Sequence, residues 1–121
     1  MEYLEIVLKL FVALSIINVW LFRIGKPTSW RGGDANNMKE EFAAYGLPEW
    51  FMKVIGTLKV ILSLLLIASI WYPGLESIGA YGISILMLGA VMMHIKIGDP
   101  MIKSLPAFSF LVISMIIAVI L

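Results

Sequence analysis

The chain has 121 residues, 61% hydrophobic and 14% charged, with a mean hydropathy of +0.99 and a formal net charge of +1. Soluble domains carry about 45–50% apolar and about 25% charged residues, so both departures point to lipid as the solvent. A nearly neutral chain without a basic stripe argues against nucleic acid as a partner. The absence of cysteine excludes disulfides, thiolate metal sites and CxxC redox chemistry.

The N-terminus has neither a basic n-region nor a small-residue cleavage site, so the first apolar stretch is expected to stay in the membrane. About 20 apolar residues cross a hydrocarbon core of about 30 Å. Residues 3–22 meet that length, with Glu5 and Lys9 in the early turns. These two lie four apart, in the order that favours a helical ion pair near one membrane surface. Asn18 falls about one turn before the end of the span.

The connection that follows is long. Its first half, RIGKPTSWRGGDANN, is rich in Gly, Pro and Asn and reads as loop. Its second half offers Asp34 or Asn37 as an N-cap, Met38, Phe42 and Tyr45 at helical spacing, and Gly46 and Pro48 as stops. The pattern predicts a short amphipathic helix over about 35–46, lying at the interface.

The second span is expected over 52–72, with Lys59 as its only interior charge. WYPGLES then turns tightly on Pro73 and Gly74. The third span is expected over 78–97, with His94 near its end. Gly79, Gly82 and Gly89, with Ala90, give it a small face suited to close helix contact. Gly98, Asp99 and Pro100 mark another short connection, and the fourth span is expected over 102–121, with Pro106 in about its first turn. Short connections make neighbours antiparallel. The fold class expected is an all-α membrane protein: one transmembrane domain, a four-transmembrane-helix antiparallel bundle with a short amphipathic interfacial helix between helices 1 and 2.

Charge suggests an orientation. Arg23, Lys26, Arg31, Lys39 and Lys53 flank or lie in the first connection, and Lys96 and Lys103 flank the third. The positive-inside rule puts these two connections in the cytoplasm and both termini outside, in a multi-pass protein of the cell membrane. Trp20, Trp30, Trp50 and Trp71 fall near span ends, as an aromatic belt does.

Lys59 lies about seven residues into its span, roughly 10 Å along the helix axis. A charge at the centre of a span costs about 2.5–3.5 kcal/mol on insertion scales, so it either snorkels to the interface or faces the bundle with a partner. Asn18 and His94 approach the same interface. Asn18, Lys59 and His94 therefore form a candidate polar layer with Arg23 and Glu49 at its mouth, under the amphipathic helix. In this arrangement Asn18 accepts a hydrogen bond from Lys59, and Glu49 neutralises it. The plainer alternatives are a helix-to-helix hydrogen bond for Asn18 and a satisfied interfacial imidazole for His94. A single histidine excludes a bis-histidine haem, and no metal constellation or catalytic signature is met, so the chain is not expected to be catalytic on its own.

Several segments together resemble the DoxX-like family of small four-helix membrane proteins. They are Phe22 to Lys26 at the end of the first helix, FAAYGLPEWFMKVIGTLKV from Phe42 to Val60, LMLGAVMMHIKIGDP from Leu86 to Pro100, and Pro106-Ala107 at the start of the last helix. Members of that family often carry a glutamate where this chain has Lys59. The lysine turns the expectation from a cation or proton role to an anionic or carbonyl ligand.

The resemblance implies a membrane accessory role, since relatives include a quinone-linked thiosulfate-oxidising subunit, members of membrane redox complexes and a branch that helps assemble acetylcholine receptors. The first expectation is thus a subunit holding a lipid-soluble ligand such as a quinone, with no cofactor strictly required. Its partners are the lipid bilayer and either a second copy of the chain or another membrane protein. The alternatives are a non-enzymatic chaperone or assembly factor and a small multidrug-type transporter. The last requires an acid deep in the first span, and Glu5 lies too near the surface.

Overall fold

The computed structural model of the protein describes residues 2–22, 25, 32–33 and 35–119, with the side chain of Glu2 excepted. Within them lie five α-helices: α1 (Glu2–Ile17), α2 (Met38–Ala44), α3 (Glu49–Ala68), α4 (Glu76–Lys96) and α5 (Leu105–Val119). A π-helical turn, Asn18–Phe22, prolongs α1, and short 3₁₀ turns at Pro73–Leu75 and Met101–Ser104 lead into α4 and α5. With these extensions, four helices among the described residues are long and apolar enough to cross a membrane: Tyr3–Phe22, Glu49–Ala68, Pro73–Lys96 and Met101–Val119. The chain is an all-α, four-helix membrane bundle.

The outer surface is that of a protein in lipid. Leu14, Leu64, Ile85, Phe108 and Val119 are exposed, whereas Val12, Ala13, Leu66, Ala80, Ile83 and Ile117 are sealed inside. The helices pack in a ring, α1 on α3, α3 on α4, α4 on α5 and α5 back on α1. Two inward serines satisfy themselves within their own helices: Ser63 and Ser84 donate to the carbonyls of Lys59 and Ala80, one turn back, at 2.7 and 2.8 Å.

Some boundaries shift from the sequence expectation. α3 begins at Glu49, three residues early, because Pro48 in extended conformation starts the helix directly, and it ends at Ala68 rather than near Tyr72. Residues 69–72 instead form turns that lead into Pro73. α2 is shorter than the expected 35–46. Its N-cap is Asn37, whose side chain accepts from the Glu40 amide at 2.8 Å, while Glu40 accepts from the Asn36 amide at 3.0 Å. Asp34, like residues 23–24 and 26–31, lies outside the described residues.

α3 and α4 touch most closely at one end of the bundle. A Cβ added at Gly79 would stand 3.1 Å from the Leu66 amide and 3.2 Å from the Leu62 carbonyl, and one at Gly82 would meet the Leu62 side chain at 2.6 Å. Small residues here bring two backbones together, as the sequence suggests. Near the same end Lys9, 3% exposed, reaches Glu5 at 3.0 Å and Glu76 at 3.2 Å. The pair on α1 thus becomes a three-member ion cluster that ties α1 to the start of α4.

Candidate functional site

At the opposite end, where Gly33, α2 and the α4–α5 turn come together, the bundle opens into a cavity of about 600 Å³. α2 forms one wall. Its residues Met38, Glu41 and Phe42 and its C-cap Tyr45 are buried, at the three- and four-residue spacing of one helix face, while Lys39, Glu40, Ala43 and Ala44 face outward. Most of the cavity wall is apolar, with Ile55, Leu86, Met93 and Phe110 among the contributors. Its polar groups include Glu41, Tyr45, Lys59 and His94.

The polar cluster owes its geometry to two helix ends built alike. After α2, Gly46 takes φ +80°, the Gly46 amide bonds the Ala43 carbonyl and the Leu47 amide bonds the Phe42 carbonyl. After α4, Gly98 takes φ +73°, its amide bonds the Ile95 carbonyl and the Asp99 amide bonds the His94 carbonyl at 3.0 Å. This is the Schellman pattern, which needs a left-handed residue that glycine supplies without strain. It folds the second residue past the C-cap back over the last turn. At α4 that residue is Asp99, and its carboxylate meets the His94 ring, Nδ1 to Oδ2, at 2.7 Å.

From His94 the contacts continue to α2. Nε2 of His94 lies 3.3 Å from the Tyr45 hydroxyl, and that hydroxyl lies 2.6 Å from Oε1 of Glu41. The Tyr45 and His94 rings meet edge to face, with centroids 5.7 Å apart. Lys96 donates to the Tyr45 carbonyl at 3.1 Å, pinning the end of α2 to α4. Asp99 also accepts the Gly33 amide on both oxygens, at 3.0 and 3.3 Å, and Lys103 donates to the Gly33 carbonyl. Burial by itself would raise the Asp99 carboxyl. Hydrogen bonds from His94 and Gly33 and the Lys103 charge outweigh it and hold the group below its ordinary value of 3.8.

Lys59 is 9% exposed. Its ammonium stands 5.2 Å from the centre of the Trp20 ring, a cation–π contact, and Glu41 is the acidic group acting on it. Trp20 reaches that position because Gly56, on the next helix, has no side chain: an added Cβ would lie 2.4 Å from the indole.

The family can be read once this site is in view. A model of the DoxX-like family matches residues 30–119, from the loop before α2 to the end of α5. The chain belongs to the DoxX-like family. No curated protein and no solved structure matches it.

In this DoxX-like protein the five residues singled out from sequence take different places. Lys59 and His94 are buried and line the cavity. Asn18 lines it too but is exposed, because Ile16 and Trp20, four apart, occupy the inward face and leave Asn18 on the rim. The expected hydrogen bond from Lys59 to Asn18 is replaced by the Trp20 contact. Glu49 does not neutralise Lys59. It is exposed at the first turn of α3, 3.6 Å from Lys39, because Pro48 starts the helix outside the cavity. Arg23 lies outside the described residues.

The sequence reading missed Glu41, Tyr45 and Asp99 as site residues. Glu41 carried a signal: it falls on the same helix face as Met38, Phe42 and Tyr45, so an acid sits on the apolar side of an amphipathic helix. Asp99 carried a weaker one, in its place directly after a helix-ending glycine. Gly89 also departs from expectation. It does not mediate helix contact but borders the cavity, and an added Cβ there would find nothing within 4 Å. Among the described residues no group of three or more metal-binding side chains occurs.

Proposed function

We propose that this DoxX-like protein holds a lipid-soluble ligand with a carbonyl-bearing head, of the quinone class, and presents it to a membrane redox partner as an accessory subunit. The observation that carries the reading is the composition of the cavity: about 600 Å³, largely apolar, with a buried lysine and a Glu41–Tyr45–His94 cluster among its polar groups. Ligand pockets are mostly apolar with a few convergent polar groups, and this volume lies within their usual range of about 300–1,000 Å³. The Lys59 ammonium supplies a donor and a positive charge for a carbonyl oxygen, while the apolar walls take an isoprenoid or acyl tail. The basic residues of the first and third connections favour a cytoplasmic location for the polar end, with both termini outside. The partner is either a second membrane protein or another copy of the chain.

The test is mass spectrometry of small molecules extracted from the protein purified in native lipid, with Lys59→Met prepared in parallel. A stoichiometric quinone in the wild type, lost from the variant, supports the reading. Bulk lipid alone in both samples overturns it, and the protein is then better described as a membrane assembly factor, to be pursued by crosslinking in native membranes.

A further inference from the structure

α3 and α4 run antiparallel: Gly79 lies against the backbone of Leu66, and Gly82 against the side chain of Leu62. That register fixes which residues face each other farther along the pair. Ile85 and Gly89 follow Gly82 at one and two turns on the same side of α4, and Lys59 and Ile55 precede Leu62 at one and two turns on α3. All four line the cavity. On one side of Leu62 the two backbones nearly touch. On the other they part, and a Cβ added at Gly89 would find nothing within 4 Å among the described residues.

The parting reaches the outside of the bundle. Ile85 is 69% exposed and also lines the cavity, so it stands at the rim of an opening. Its depth decides what lies beyond. Ile85 is near the middle of α4, roughly 15 Å along the axis from either end. A hydrocarbon core is about 30 Å thick. The opening at Ile85 therefore gives onto the middle of the bilayer and not onto water.

The polar group at this level points the other way. The Lys59 ammonium lies against the Trp20 ring, on the turn that prolongs α1. In the ring of helices α1 stands diagonally across from α4. The cavity thus runs from a cation beside α1 to an apolar gap beside α4.

Resting on the ligand reading above, we infer that the gap between α3 and α4 is a lateral portal and tail subsite. The ligand's head lies at Lys59 and Trp20, and its tail passes between Ile55 and Gly89, beside Ile85, into the hydrocarbon core. The ligand class narrows to amphiphiles with a compact head and a single apolar chain. Lipid tails are as apolar as leucine, so the part of the chain beyond the rim gains nothing from the protein and its length is not read. Gly89 determines specificity by leaving the width of a chain open where any side chain would fill it. The ligand exchanges with the bilayer without crossing water and lies crosswise, along the membrane plane.

The test follows the tail. The protein in lipid nanodiscs is loaded with a ubiquinone analogue that has a hexadecyl tail, bearing a diazirine either midway along the tail or at its far end. Irradiation and peptide mass spectrometry locate the label, and native mass spectrometry counts bound quinone separately. Leu88 is exposed but does not line the cavity, so its labelling measures probe dissolved in the bilayer. The midway diazirine is expected to label Ile85 or Gly89. A large excess of the analogue without diazirine is expected to lower that labelling at least about tenfold by mass action and to leave Leu88 unchanged. The far-end diazirine is expected to give no label that the excess removes, because that end lies in bulk lipid. Bound quinone with removable midway label at Asn18, the exposed rim near the end of the first span, overturns the portal and leaves the ligand reading standing. So does removable far-end label inside the cavity, at Ile16 or Phe110, and so does bound quinone with no removable label at Ile85 or Gly89. Absence of bound quinone overturns the ligand reading and the portal with it.

Discussion

The His94 ring and the Asp99 carboxylate meet at 2.7 Å across the end of α4, and the contact exists because Gly98 between them is left-handed. A polar pair five residues apart in sequence is thus set by backbone geometry.

Asp99→Asn is expected to destabilise the protein by about 1–3 kcal/mol at neutral pH, the usual loss when a charged hydrogen-bonding group is neutralised. Because the Asp99 carboxyl is held below 3.8 in the folded protein, the folded state binds fewer protons there than the unfolded state. Its contribution is complete above that value and is lost as pH falls through the lower folded value. Thermal unfolding in lipid is expected to separate wild type from Asp99→Asn above pH 4, with the difference narrowing below it. A constant difference across that range would contradict the assignment.

Gly98→Ala is expected to cost about 1–2 kcal/mol, the penalty for a Cβ in left-handed conformation. There is open space around the position, so the cost is conformational and not steric. Gly98→Asn is expected to cost less, since asparagine tolerates that region. Equal losses for the two in thermal unfolding would point to some other cause.

Gly89→Leu is expected to block the cavity without harming the fold. The added side chain enters open space at the cavity edge, and replacing a mid-helix glycine gains about 0.5–1 kcal/mol of helix propensity. Quinone extraction and thermal unfolding on the same sample check this: ligand lost, midpoint unchanged or raised. A lowered midpoint with ligand retained would count against the cavity as the binding site.

Lys9→Met removes the cation between Glu5 and Glu76. Breaking a buried ion pair by deleting one partner costs about 3–5 kcal/mol because the remaining charge has lost its compensation. Adding Glu76→Gln to that variant is expected to recover part of the loss, measured as denaturant midpoint in a fixed lipid or detergent.

Gly56→Ala is expected to cost about 1–3 kcal/mol by overpacking, since the new methyl would overlap the Trp20 ring. The indole moves with it, so the fluorescence of Trp20, compared against a Trp20→Phe control, is expected to change along with stability.

The helices were legible because each span writes its own signature: a run of apolar residues as long as a bilayer is thick. Lys59 and His94 were legible for the complementary reason, as polar groups that such runs seldom hold. Nearness to the interface does not bring Glu49 to Lys59, because Pro48 sets the start of α3 and Glu49 faces outward beside Lys39. Tyr45 and Asp99 were not legible as site residues because their roles arise from tertiary docking. α2 must fold down on α4 before Tyr45 meets His94, and α4 must end in a left-handed glycine before Asp99 turns back. Gly79 and Gly89 look alike in sequence, yet one touches a neighbouring backbone and the other borders empty space.

That last contrast makes α3 and α4 a pair of tongs. Gly79 and Gly82 press against Leu62 and Leu66 as the pivot, and the jaws part beyond them, where Lys59 and Gly89 stand across the gap. Bulk introduced at Gly79 is therefore expected to part α3 from α4 and to be felt some four helical turns away, at His94, although Gly79 does not line the cavity.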